Sequence, residues 1–212
     1  MSPLEVEAQS PLDAAQVLAR VGLKPGGRSL WGETLPCKKP GLYLVQLPLD
    51  AVVLGNEPQL SLDALADWLA RASQLRVDGM RPTPEQLAAR LARFWWPESR
   101  LLYTGCTTRP LASRVSDYRR HVLGRDAPHR GGQWLKALRP KVLASLEVVW
   151  LESQAAVAGD LEDDLLDEFA DLLVERDPSR ARLALGELLP FANIRPSKGA
   201  DKPHGITGVS EG

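Results

Sequence analysis

Three short runs of β-forming residues lie far apart in this chain, and they constrain its fold more than any other feature. They are residues 41–47, 100–104 and 146–151, and prolines or a glycine bound the first two. The segments between and after the runs have helical periodicity. This order predicts an α+β domain with a small three-stranded sheet, mixed or antiparallel, that is flanked by helices.

Helix-start signals and composition divide the chain further. Residues 1–40 are predicted to form an N-terminal helix and an extended arm. Residues 41–195 form the main domain, and residues 49–99 are a two-helix insertion between its first two strands. Residues 196–212 are rich in Gly, Pro, Lys and Ser, which predicts a flexible tail.

Composition points to a water-soluble protein of the cytoplasm, with no membrane as partner. No apolar run approaches the roughly 20 residues that span a bilayer, and the N-terminus does not resemble a secretory signal. There are two cysteines, Cys37 and Cys106, too few for a disulfide framework. The oligomeric state cannot be inferred from the sequence.

Charge is distributed unevenly, although the formal net charge is only -1. Residues 103–141 hold nine Lys and Arg against two Asp, a balance of +7. Residues 147–177 hold eleven Asp and Glu against one Arg, a balance of -10. A basic half can contact phosphates while an acidic half faces away, or both can be solvated helix faces.

One acid of the last long helix, expected from about Leu161 to Glu175, differs from the others. At about 100° per residue its leucines and Phe169 form one stripe, and most acids, Asp163 among them, fall on the opposite side. Glu162 lies in the middle of the apolar stripe. A buried carboxylate is usually paired, hydrogen-bonded or bound to a metal, whereas an acid in a first helical turn needs no such partner.

The helix after Thr108 presents a row of polar groups along its edge. Arg114, Tyr118 and His121 stand at i, i+4 and i+7, which can line one wall of a cleft. A solvated edge with a half-buried tyrosine is the simpler interpretation.

Two tripeptides and four single residues form an ordered set along the chain. They are Gly41-Leu42-Tyr43, Tyr103-Thr104-Gly105, Arg114, Tyr118, Glu162 and Asn193. This ordered set resembles the GIY-YIG nuclease superfamily, with Thr in place of the second Ile. Residues 30–33 and 131–134 are similar to uncharacterised bacterial members. The resemblance covers about residues 41–193, interrupted by one insertion.

The resemblance implies an endonuclease that hydrolyses phosphodiesters with one Mg²⁺ or Mn²⁺ ion. Tyr43 or Tyr103 would activate water, Arg114 would hold phosphate oxygens, and Glu162 would bind the metal. Tyr118 would orient phosphate or water, and Asn193 would brace the site. The implied partner is nucleic acid, with double-stranded DNA ahead of RNA. The residues expected to contact it are Arg119, Arg120, His121, Arg125 and Arg130.

The chain departs from the family in two gaps, and these leave other functions open. A long insertion separates Tyr43 from Tyr103, where the family has a short hairpin, and Asn193 lies far from Glu162. The chain could be an inactive module of this fold that binds nucleic acid or a protein, or a structural partner whose interface is the insertion. Walker and GxSxG motifs are absent from the sequence. Cys106 could be a nucleophile, but a half-buried thiol is the commoner case.

Overall fold

The computed structural model describes residues 10–49, 57–127, 132–196 and 201–210. In these ranges the α-helices are α1 (Ala14–Arg20), α2 (Leu62–Arg71), α3 (Pro84–Ala92), α4 (Leu111–Arg120), α5 (Pro140–Ser145), α6 (Ala158–Arg176) and α7 (Leu185–Leu188), and 3-10 turns span Gln133–Ala137 and Pro178–Arg182. The strands are β1 (Gly27–Leu30), β2 (Gly41–Gln46), β3 (Arg76–Val77), β4 (Leu101–Thr107), β5 (Glu147–Glu152) and β6 (Ile206–Thr207). Among the described helices, none has the length and apolarity needed to cross a membrane.

The main sheet is antiparallel throughout, with the strand order β1-β5-β2-β4. The α+β class is confirmed, and the three predicted strands correspond to β2, β4 and β5. The predicted number of strands is wrong, because β1 adds a fourth that pairs with β5 from Gly27↔Trp150 to Leu30↔Glu147. The sequence assigns this segment to a turn and an arm because four residues beginning with glycine lack the alternation that marks a strand.

Helices cover both faces of the sheet, so β2 is buried on both sides. Side chains alternate between the two faces of a strand. Leu42 and Leu44 join one core with residues of α1 and α6. Tyr43 and Val45 join the other core, with residues of α2, α3 and α4.

The insertion contains the two predicted helices, α2 and α3, and also the short strand β3. Its described part begins at residue 57, because residues 50–56 lie outside the described ranges. Two of its tryptophans, Trp68 and Trp95, belong to the core. These two are therefore core residues, and Trp96 is partly buried.

The C-terminal segment, here meaning residues 201–210, packs against the insertion, which corrects the prediction of a flexible tail over this range. β6 pairs with β3, and the Trp68 Nε1–H donates to Val209 O at 2.8 Å. Lys202 is buried, and its Nζ donates to Pro190 O at 2.8 Å. A few specific contacts anchor a stretch whose Gly- and Pro-rich composition contains no periodic signal.

Candidate active site

The candidate residues meet at the outer edge of β4, where backbone groups point away from β2. Thr104 N–H donates to Asn193 Oδ1 at 2.9 Å, and Asn193 Nδ2 donates to Thr104 O at 2.7 Å. Two residues further on, the Cys106 N–H donates to the Glu162 carboxylate. An exposed strand edge needs such partners, and here side chains provide them. Asn193 therefore braces the strand that holds Tyr103.

All three tyrosines of the chain lie together beside this edge. The ring centroids of Tyr43 and Tyr103 are 5.8 Å apart, and those of Tyr103 and Tyr118 are 5.1 Å apart. Tyr43 is on β2, Tyr103 on β4 and Tyr118 on α4. The fold thus brings together aromatic residues that are far apart in sequence.

Two glycines make room for the tyrosine rings. Gly105 faces Tyr43 in the β2–β4 register, and a Cβ there would lie 2.8 Å from Tyr43 Oη and 2.7 Å from Tyr103 Cε1. Gly132 has a φ of +71°, and a Cβ there would lie 2.3 Å from Tyr118 Oη. Both positions exclude a side chain, so the glycine of Tyr103-Thr104-Gly105 has a steric role.

Burial keeps the three phenols protonated at neutral pH, so their basic form is scarce. It raises the pKa of Tyr43 to about 12, although the charge of Arg114 and hydrogen bonds with Tyr103 and Arg114 act in the opposite direction. It raises the pKa values of Tyr103 and Tyr118 well above that of an ordinary phenol. Arg114 thus favours the Tyr43 phenolate as expected, but desolvation is the larger effect and the phenol stays protonated at neutral pH.

Glu162 points into the site from the second turn of α6. The helix begins at Ala158, earlier than predicted, so a first-turn position does not account for this acid. Burial raises the pKa of the Glu162 carboxyl, and hydrogen bonds from the Cys106 thiol and N–H, together with the charge of Arg114, lower it again. This carboxylate is thus only partly compensated by its surroundings.

The predicted outward face of this helix is wrong at Asp163, which is buried and not exposed to solvent. The buried positions of α6 include Asp163, Leu166 and Ala170, whereas Leu161 is only partly buried. The buried arc is therefore rotated by roughly 50° from the arc of leucines. Asp163 adds to the negative field at Glu162 and raises the pKa of that carboxyl further.

Cys106 is a hydrogen-bond donor in this site rather than a nucleophile. Burial first, and then the charge of Glu162 and the hydrogen bond to it, raise the pKa of the thiol to about 12. A thiol attacks as its thiolate, which is scarce at neutral pH with such a pKa. Of the two interpretations of Cys106, nucleophile or half-buried thiol, the structure supports the half-buried thiol.

Two predicted roles on α4 do not fit the structure. Tyr118 is fully buried, and its hydroxyl donates to Gly132 O at 2.5 Å, so it holds the loop at Gly132 and does not face phosphate or water. His121 follows the end of α4 and is only 3% exposed, so it cannot contact nucleic acid at the surface. Burial lowers its pKa to about 4.

The predicted basic surface is smaller than the sequence suggests. The Arg119 guanidinium turns inward and donates to the backbone oxygens of Glu33 and Leu30, which corrects its assignment as a phosphate contact. Arg120 is exposed and pairs with Asp117 at 2.7 Å, and Arg125 is also exposed. Arg130 lies outside the described residues.

A cavity of about 560 Å³ opens beside Tyr103, Glu162 and Asn193. The rest of its lining is Gly132, Gln133, Trp134, Ile194, Arg195, Pro196, His204, Ile206, Thr207, Gly208 and Val209. Only the resemblance of residues 131–134 to family members gave any signal here, and nothing in the sequence marks the C-terminal segment.

Glu162 could hold a metal ion in this site. Within the described ranges, no group of three or more His, Cys, Asp or Glu side chains is arranged to hold a metal ion. Glu162 lines the cavity and is an undercompensated carboxylate, a ligand type that Mg²⁺ and Mn²⁺ accept while keeping several waters. The donor set is therefore compatible with one such ion.

Comparison with known proteins gives no match: no protein-family model, no curated protein and no solved structure matches this chain.

Proposed function

We propose that this chain is a metal-dependent phosphodiesterase of the GIY-YIG type that acts on nucleic acid at the outer edge of β4. The observation that supports it most is the convergence of Tyr43, Tyr103, Arg114 and Glu162, which come from four separate elements. Arg114 hydrogen-bonds with Tyr43, and its charge also acts on Glu162. Burial raises the pKa values of Tyr43, Tyr103 and Glu162, and shifted groups beside a cavity are typical of functional sites.

The position of each group suggests a division of roles. Tyr103 and Glu162 line the cavity, so Tyr103 would orient the attacking water and Glu162 would hold one Mg²⁺ or Mn²⁺ ion. Arg114 would hold non-bridging phosphate oxygens through its planar fork. Tyr43 is fully buried and hydrogen-bonds with Arg114, so its hydroxyl would accept from the guanidinium. A bound ion would supply positive charge at the leaving oxygen.

The proposed substrate is DNA before RNA, in a cytoplasmic protein. Arg120 and Arg125 remain on the surface as candidate contacts to the phosphate backbone. Both cysteines are free, which fits a reducing compartment.

Replacing the carboxylate tests this function directly. Glu162→Gln keeps the shape of the side chain and an acceptor for the Cys106 N–H, so the fold should be retained while Mg²⁺- or Mn²⁺-dependent plasmid nicking is lost. Asp171→Asn, on the exposed face of the same helix, is the matched control and should cleave like the unmodified protein. Undiminished nicking by Glu162→Gln would reject the proposed role of this residue.

The second candidate is a binding module without activity, and the protonated phenols favour it. With a pKa of about 12, only on the order of one Tyr43 phenol in 10⁵ is ionised at pH 7 without a further cation. A binding module would show salt-sensitive retention of DNA or RNA in gel shifts, but no cleavage with either metal. Cleavage by the unmodified protein would eliminate this alternative.

A further inference from the structure

The cavity has two walls of different origin. One wall is the proposed catalytic edge, with Tyr103, Glu162 and Asn193. The other is the C-terminal segment, with His204, Thr207 and neighbouring residues. Any group bound between them would lie directly beside the proposed reaction centre.

The C-terminal wall is fixed by buried contacts. Lys202 is 2% exposed, and its Nζ donates to Pro190 O at 2.8 Å and to Phe191 O at 3.0 Å. Its Nζ lies 5.2 Å from the centre of the Trp134 ring. These bonds connect the segment to the chain that leads into Asn193, so one buried lysine holds both walls.

The insertion holds the same wall from outside. The Arg90 guanidinium donates to His204 O at 3.1 Å and pairs with Asp78. β3 pairs with β6, and Trp68 donates to Val209. The long insertion therefore has a structural consequence for the site, because it fixes the far side of the cavity.

The ring that the cavity lining offers is that of His204, which is partly exposed, whereas Trp134 is only 1% exposed and packs against it. Trp134 and His204 contact each other with ring centroids 5.5 Å apart and an interplanar angle of 71°. His204 Nδ1 accepts from Ile206 N at 2.8 Å, so in the neutral ring Nε2 bears the proton. Burial lowers the pKa of His204, which keeps the ring neutral at pH 7. The Thr207 hydroxyl adds an exposed polar group, whereas Gln133 is 1% exposed and its Oε1 accepts from Gly124 N at 3.2 Å.

These features match an unpaired nucleobase. A base has apolar faces that pack on aromatic rings and a polar edge that hydrogen-bonds to amides, hydroxyls and imidazoles. A volume of about 560 Å³ is within the range of sites that bury one small organic molecule, and it does not admit a stacked duplex. Arg195 is exposed, lines the cavity and pairs with Asp201 at 2.9 Å, so an adjoining phosphate would have to replace that carboxylate.

We propose that the cavity binds one unpaired nucleotide next to the scissile phosphate. The preferred substrate is then a single strand, or a duplex from which a base is extruded. The position beside the scissile group rests on the proposed nuclease function, whereas binding of the nucleotide itself does not.

Filling the cavity tests the proposal. Thr207 lines it from an exposed strand position, so Thr207→Trp should occupy the space without disturbing the core, and Ile194→Trp provides a second filling variant. Met80→Trp is the control, since Met80 is exposed on the neighbouring hairpin and does not line the cavity. Calorimetry would measure binding of thymidine 3′,5′-bisphosphate, and gels would compare cleavage of matched single-stranded and duplex oligonucleotides.

We expect the probe to bind the unmodified protein and Met80→Trp alike, and at least tenfold more weakly to the folded filled variants. Single strands should be cleaved faster than duplex, and filling should abolish this preference. Equal probe binding by filled and unfilled proteins, or no probe binding at all, would overturn the proposal even if the protein cleaves DNA. Probe binding that is lost on filling, in a protein that cleaves nothing, would support the nucleotide site and reject the nuclease.

Discussion

Replacing Asn193 by leucine should reveal whether this residue braces β4. The amide makes two buried hydrogen bonds with Thr104, one in each direction, at 2.9 and 2.7 Å. Leucine is close in size but can neither donate nor accept. The substitution therefore leaves the N–H and the C=O of Thr104 without these partners, and both lie where water has little access.

The number of lost bonds sets the magnitude. An unsatisfied buried polar group costs about 1–3 kcal/mol, so the two together should lower the free energy of unfolding by about 2–6 kcal/mol. In a domain of this size each kcal/mol shifts Tm by roughly 2–4 °C, so Tm should fall by roughly 4–24 °C. Neighbouring residues of β4 keep their ladder bonds to β2, which limits the damage to the outer edge.

Urea unfolding followed by tryptophan fluorescence would measure the global effect, and amide hydrogen exchange at Thr104 would measure the local one. Gln154→Leu, which replaces an exposed amide, is the control and should stay within about 0.5 kcal/mol of the unmodified protein. Equal stability of Asn193→Leu, with the Thr104 amide still protected, would contradict the bracing role. Such a result would indicate that Asn193 contacts substrate and does not brace the strand.

Three further predictions concern the tyrosine cluster, acid stability and phosphate binding. Gly105→Ala should destabilise the protein by about 1–3 kcal/mol in urea unfolding, because the added Cβ overlaps two tyrosine rings. Gly159→Ala, where a Cβ would meet nothing within 4 Å, should be neutral or slightly stabilising, and equal effects of the two changes would contradict this packing. The pKa of His121 is lowered to about 4, so the folded state binds fewer protons than the unfolded state between pH 6.5 and 4. The protein should therefore lose roughly 2–4 kcal/mol of stability as pH falls through this window. His121→Gln should lose less, and parallel pH profiles of the two proteins would refute this. Arg114→Lys should lower the turnover rate by about 10²-fold with little change in affinity, because lysine lacks the planar fork; a collapse of affinity with normal turnover would show that Arg114 only docks the backbone.

Local patterns in the sequence were sufficient for a substantial part of the fold. The strands at residues 41–46 and 147–152 and the capping box at Thr83 depend on side-chain alternation and on hydrogen bonds within one turn, which the sequence encodes directly. Glu162 was identified in the same way, because helical periodicity alone places it among apolar positions.

Long-range packing decided what the sequence could not. The short strand β1 exists because β5 offers it a partner, and residues 201–210 are ordered by contacts with Trp68 and Arg90, far away in the chain. Periodicity fixes the angle between side chains on a helix, but the position of neighbouring elements determines which angles are buried, and so Asp163 turned inward.

The sequence by itself determined the α+β class, the order of the candidate residues and the inward position of Glu162, since each depends on neighbours within a few residues. Only the tertiary structure decided that Tyr43, Tyr103 and Glu162 lie close together, that His121 is buried, and that the C-terminal segment lines a cavity beside them. The physical reason is that burial, and the desolvation that raises or lowers each pKa, are properties of surroundings assembled from distant parts of the chain.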